Sequence, residues 1–112
     1  MLRLTSILML MMFAFACGDD GVGHGGDVVG GPCVSPGDCA FRCETGGDFP
    51  QGTCIKPCNT DGDCPDGTNC INQDGGICLL SCGQPADCRG GYNCLGKENR
   101  GHGGDSLVCI AD

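Results

Sequence analysis

Twelve cysteines between residues 33 and 109 fall into three groups of four, and no other feature of this 112-residue chain restricts its folding as strongly. They are Cys33, Cys39, Cys43 and Cys54; then Cys58, Cys64, Cys70 and Cys78; then Cys82, Cys88, Cys94 and Cys109. Aligned on them, the chain repeats with a period of about 25 residues. The copies read "CVSPGDCAFRCETGGDFPQGTC", "CNTDGDCPDGTNCINQDGGIC" and "CGQPADCRGGYNCLGKENRGHGGDSLVC". All three open Cys-x5-Cys with an aspartate, Asp38, Asp63 or Asp87, just before the second cysteine. The second and third also share Cys-x2-Gly-x-Asn-Cys through Gly67 and Asn69, and Gly91 and Asn93. The first departs, with only three residues between Cys39 and Cys43.

Apolar content explains why so many cysteines are needed. From Cys33 onward, eighty residues hold only thirteen larger apolar side chains, and the whole chain has no Trp. That cannot build an ordinary core, so covalent staples must replace it. The expected class is a small disulfide-rich fold with little regular structure: short β-hairpins in three tandem stapled modules. Apolar or β-branched neighbours of each fourth cysteine (Thr53 and Ile55, Ile77 and Leu79, Val108 and Ile110) mark short strands. The turn signals "TGGD", "QDGG" and "HGGD" precede them, so each module is expected to end in a hairpin. No window carries a sustained helical period.

A module that closes on itself has three possible pairings, and spacing does not choose among them. The interleaved one is favoured here because overlapping loops pin both turn and strand. It joins Cys33 to Cys43, Cys39 to Cys54, Cys58 to Cys70, Cys64 to Cys78, Cys82 to Cys94 and Cys88 to Cys109. The pattern C-x4-D-C-x2-G-x-N-C resembles the short cysteine-rich modules of Dickkopf N-terminal type, also seen in bacterial surface lipoproteins. The resemblance implies an extracellular disulfide-rich module; no partner-contact motif of that family can be matched here.

The thirteenth cysteine, Cys17, follows a stretch with the marks of an export signal. Arg3 and the amino terminus give a short positive region, and residues 4–16 carry no charge and are rich in Leu, Met and Phe. Such a run is too short to span a bilayer, which takes about 20 residues, but suits a signal-peptide core. Cleavage after Ala16 makes Cys17 the first mature residue. This resembles the bacterial lipoprotein signal, in which that cysteine carries a diacylglycerol thioether. The resemblance implies lipidation at Cys17 and a membrane partner through that lipid, at the outer membrane or cell surface. Ala14 and Ala16 also satisfy the A-x-A rule for ordinary secretion at the same bond. In that alternative the protein is secreted and Cys17 enters an interchain disulfide.

The expected organisation is a signal peptide over 1–16, a lipid-bearing cysteine with a glycine-rich linker over 17–32, and cysteine-rich repeats over 33–56, 57–80 and 81–112. The linker "GDDGVGHGGDVVGGP" reads as a flexible tether with a reach of roughly 20 Å. Modules with so little apolar surface are expected to behave as weakly coupled beads.

Charge and motifs narrow the function. After residue 16, five Lys or Arg face all fourteen acids, a formal balance of −9, which argues against nucleic acid as a partner. No Cys-x2-Cys pair occurs, which removes the common zinc and iron–sulfur spacings, and no cofactor is expected. "GHGGD" occurs twice, so His24 with Asp27 and His102 with Asp105 are weak metal candidates against a default of glycine-rich chance. Asn59, Asp61 and Asp63 alternate as at the opening of a calcium loop, but Cys64 stands where the glycine belongs; an acidic turn is the default. His24 and His102, both flanked by glycine, offer no rigid base for a Ser35, Ser81 or Ser106 nucleophile, so no catalytic residue is assigned. The leading expectation is an exported, lipid-anchored surface protein with a structural or protein-binding role, whose extracellular partner, a protein or a glycan, the sequence does not name. The alternative is a secreted inhibitor or toxin-like protein acting through residues 95–108, with Lys97 or Arg100 entering an acidic pocket.

With twelve paired cysteines, the native non-reduced protein is expected to consume at most one equivalent of a thiol reagent, and none when Cys17 is modified. Four or more reactive thiols in that assay would break the scaffold argument.

Overall fold

The computed structural model describes residues 21–111; the signal segment and Cys17 lie outside them. Each repeat is built alike, from a 3₁₀ turn between its first two cysteines and an antiparallel hairpin joining its last two. The turns are Pro36–Asp38, Asp61–Asp63 and Pro85–Asp87. The hairpins are β1 (Arg42–Glu44) with β2 (Thr53–Pro57), β3 (Thr68–Ile71) with β4 (Ile77–Leu80), and β5 (Asn93–Glu98) with β6 (Asp105–Ile110). No α-helix occurs among the described residues. The protein is small and disulfide-rich, and short antiparallel strands are the only extended regular structure among the described residues.

The repeated aspartate explains each turn. The Asp38 carboxylate accepts the backbone N–H groups of Val34 (2.8 Å) and Ser35 (3.1 Å). Asp63 does the same for Asn59 and Thr60, and Asp87 for Gly83 and Gln84, with distances of 2.8–3.2 Å. A carboxylate reaching back three and four residues satisfies donors that a one-turn helix leaves open. These bonds hold the carboxyls of Asp38 and Asp63 below the usual carboxylate range. The shared asparagine closes the other end. Asn69 donates to the Ser81 hydroxyl, and Asn93 to the Ala111 carbonyl.

In every hairpin the third and fourth cysteines are direct register partners: Cys43 with Cys54, Cys70 with Cys78, and Cys94 with Cys109. Opposed residues of an antiparallel pair project from the same face. Neither bonds its opposite number. Each reaches to a cysteine of the preceding turn, giving Cys33–Cys43 and Cys39–Cys54, Cys58–Cys70 and Cys64–Cys78, and Cys82–Cys94 and Cys88–Cys109. The two bridges of a repeat lie side by side, with three of their sulfurs within 4.8 Å of one another.

The repeats do not behave as beads. β2 of the first pairs with β4 of the second, making one four-stranded sheet in the order β1-β2-β4-β3. A single core takes Phe49 and Ile55 from the first repeat, Ile71, Ile77 and Leu79 from the second, and Tyr92, Val108 and Ile110 from the third. Each module is too poor in apolar residues to close a core alone, so the three pool what they have.

Polar ties reinforce the pooling. The Arg89 guanidinium donates to the Gly52 carbonyl (2.6 Å), the Thr53 hydroxyl (3.2 Å) and the Tyr92 hydroxyl (3.1 Å), and lies 4.7 Å from the Tyr92 ring centroid. Tyr92 in turn donates to the Pro50 carbonyl at 3.0 Å. Burial pushes the Tyr92 phenol up, against the opposing pull of Arg89.

Ile55 is fully buried in the shared core although it belongs to the first repeat. Ile55→Ala is expected to cost about 2–5 kcal/mol. All three repeats should lose that stability together, in one shifted denaturant transition. Resolved transitions with only the first repeat affected would restore the bead description.

Candidate functional site

The joint between the second and third repeats brings together two of the residues that the sequence offered as metal or calcium ligands, Asp61 and His102. Asp61, on the second 3₁₀ turn, accepts the Cys70 backbone N–H at 2.8 Å and the Asn99 side-chain amide at 3.1 and 3.2 Å. His102 sets its Nε2 3.3 Å from the same carboxylate. Its other ring nitrogen lies 2.8 Å from the Gly103 carbonyl. Asn99 is buried and also donates to the Ser106 hydroxyl, while its own side-chain oxygen accepts the N–H groups of Gly101 and His102.

These partners redistribute the candidates. His102 faces Asp61 rather than Asp105, and His24 lies 2.7 Å from the Asp87 carbonyl rather than beside Asp27. Asp61 and Asp63 serve different backbone donors, and Asn59 contributes its N–H to Asp63. The acidic turn is thus spent on the fold's own hydrogen bonds. The three-cysteine clusters are disulfide sulfurs, whereas metal binding needs thiolate. Ser106 meets Asn99 rather than a histidine.

Residues 95–108 do not form a free loop. Strands β5 and β6 use most of them, and the segment between packs on the second repeat. The Arg100 N–H donates to the Cys70 carbonyl (2.9 Å), and its guanidinium to the Asn72 side chain (2.9 Å). Lys97 lies on β5, opposite Ser106.

A second site stands out because the repeats serve as controls for one another. The residue after the first cysteine is Val34, Asn59 and Gly83 in the three copies. All three donate their N–H to the turn aspartate, so the turn makes no demand for an apolar side chain there. Val34 is nevertheless 87% exposed. It lines an open depression of about 330 Å³ with Cys33, Thr45, Gly46, Phe49, Gln51 and Gly52. Gln51 holds a left-handed backbone with φ of 66°, a cost that a glycine would avoid. Phe41 is half exposed as well, with the Lys56 ammonium 5.5 Å from its ring centroid.

By contrast, the pocket lined by Val29, Thr53, Leu79, Arg89 and Tyr92 among others holds about 10 Å³. That is room for one water at most. The Val34 depression was missed by motif searching, and the signal for it was the lone apolar residue in a turn whose two sister copies are polar or glycine. Asn99 and Arg89 gave no sequence signal for their ties between repeats, since the partners they reach there lie 36 to 38 residues away. No protein-family model, curated protein or solved structure matches the chain.

The Cys70 N–H first, and then the Asn99 amide and His102 beside it, hold the Asp61 carboxyl below the usual range despite partial burial. A lowered carboxyl stabilises the fold fully above the ordinary carboxylate value and loses that contribution as pH falls through the lowered one. The urea midpoint is therefore expected to be level near pH 5 and to fall below about pH 4. Asp61→Asn should lower the midpoint at neutral pH and flatten the acid fall; an unchanged acid limb would remove Asp61 from the joint.

Proposed function

We propose that this is an exported, lipid-anchored surface protein that binds another protein through the Val34 depression of its first repeat and carries out no catalysis. The observation behind the anchor is that the six bridges use every cysteine except Cys17. A disulfide-rich fold needs an oxidising compartment, and the residues before Cys17 read as the route to one. With its scaffold sulfurs accounted for, the chain has one thiol left for a lipid, next to the expected cleavage bond. Several acyl chains there give stable anchoring where one would be marginal.

The binding half of the reading rests on Val34. An exposed apolar side chain at Val34, where the turn does not require one, favours recognition over packing. The partner's chemistry follows from charge. After residue 16 the chain carries a formal −9, and the turn carboxylate of Asp38 is held on the Val34 backbone N–H. A surface offering an apolar side chain with flanking Lys or Arg would complement it.

Two measurements test the two halves. Cells expressing the full chain with radioactive palmitate should label it, with Cys17→Ala abolishing the label; an unlabelled wild-type chain ends the anchored reading. A photoreactive group at Thr45 should give one discrete crosslinked adduct on intact cells. Val34→Asp should remove that adduct while leaving the disulfide map intact. An adduct indifferent to Val34→Asp would assign the contact elsewhere.

A further inference from the structure

The glycine-rich stretch before Cys33 is not a free tether where the structure describes it. Val29 is fully buried, packed with Cys58, Cys70 and Cys78 of the second repeat. The Gly30 N–H donates to the Cys54 carbonyl at 2.9 Å, and the Cys54 N–H returns to the Gly31 carbonyl at 2.8 Å. The Asp27 carbonyl accepts from Ala40 of the first repeat at 2.7 Å, and His24 meets the Asp87 carbonyl of the third. Residues 21–31 thus touch all three repeats. They also close on themselves, through Val28 to Gly21 (2.8 Å), Gly23 to Val29 (3.0 Å) and Gly31 to Gly26 (2.9 Å).

Glycine is required here for close approach rather than for slack. A Cβ on Gly26 would sit 2.2 Å from the Gly21 carbonyl oxygen. One on Gly30, whose φ is 110°, would sit 2.3 Å from the Gly23 carbonyl oxygen and 2.7 Å from the Leu80 side chain. Composition alone cannot separate these two uses of glycine.

We infer that residues 21–31 are a docked clasp that spans the three repeats and shortens the membrane leash to the residues before Gly21. This rests on the lipid-anchored reading only for its membrane consequence; the clasp itself does not. Three residues separate Cys17 from Gly21, against fifteen from Cys17 to Cys33. Four extended steps reach at most about 14 Å. An undocked linker of sixteen steps would average roughly 20–24 Å and could stretch much further. The clasp therefore holds the folded body against the lipid surface, with the Gly21 end facing it. The bilayer is the partner of this face, and the Val34 depression must find its own partner close to the membrane.

Hydrogen exchange on the full mature chain, acylated and as Cys17→Ala, tests the clasp apart from the lipid. The amides of Gly23, Gly26 and residues 28–31 should exchange at least about 100-fold slower than unstructured chain in both forms. Exchange at the unstructured rate overturns the clasp. Neutron reflectometry of the acylated protein on a supported phosphatidylglycerol–phosphatidylethanolamine bilayer tests the leash. The protein layer should begin within about 14 Å of the headgroups. Gly26→Val, with its six bridges verified, should release amide protection over residues 21–31 and move the layer outward to about 20 Å or more. A wild-type layer already at that distance, or one unmoved when Gly26→Val loses protection, overturns the short leash. Slow exchange with no adsorbed layer overturns the anchored reading and the leash with it, while the clasp is upheld by its exchange.

Discussion

Everything in this molecule depends on two cysteines standing opposite each other on a hairpin and each bonding away from the hairpin. Cys70 and Cys78 are register partners, yet Cys70 reaches Cys58 and Cys78 reaches Cys64. A direct bond between them would only restate the hairpin, closing a loop that the strand ladder already closes. Bonding outward fastens the 3₁₀ turn to the hairpin face at two points and removes the turn's freedom to rotate. Each such bridge closes a loop of 10 to 21 residues, worth about 3 kcal/mol on the chain-entropy account. The same device, used three times, supplies the rigidity that thirteen large apolar side chains could not.

Rigid modules then become able to share a core. A flexible module would pay conformational entropy to present Ile55 or Val108 to a neighbour. A stapled one has already paid it, so even two or three apolar residues per repeat suffice to fuse the three. The ties at the joints follow the same economy. Arg89 satisfies carbonyls of the first repeat, and Asn99 satisfies the Asp61 carboxylate of the second. In both cases a donor that is at least partly buried meets an acceptor that the neighbour would otherwise leave to water.

Local chemistry was legible in the sequence and long-range chemistry was not. Turn aspartates, hairpin positions and cysteine groups are set by partners within one repeat, and spacing reports on those directly. Bead-like behaviour was the wrong expectation because it counted apolar residues per module and ignored that Ile55, Ile77 and Ile110 could face one centre. The tether expectation failed for a related reason. Seven glycines among residues 18–32 look like slack, but Val29 anchors the segment, and glycine is what lets two backbones pass within contact. Among the candidate sites, Asp61 and His102 were visible as chemistry, but the sequence could not say that they would face each other.

Tandem repeats offer a way of separating fold from function within a single chain. Where three copies agree, as at Asp38, Asp63 and Asp87, the shared hydrogen bonds show that the turn itself demands the residue. Where they disagree while keeping the same backbone contacts, the fold is indifferent and the difference needs another cause. Val34 is such a difference, exposed and apolar against Asn59 and Gly83. Tyr92 marks the opposite case, since it too is peculiar to one copy, but it is buried and hydrogen-bonded to Pro50, which makes it a device for joining repeats. A singular residue that is satisfied inside the molecule belongs to the architecture. One that is left exposed at the rim of an open depression, as Val34 is, has no such part in the architecture, and the binding proposal starts from it.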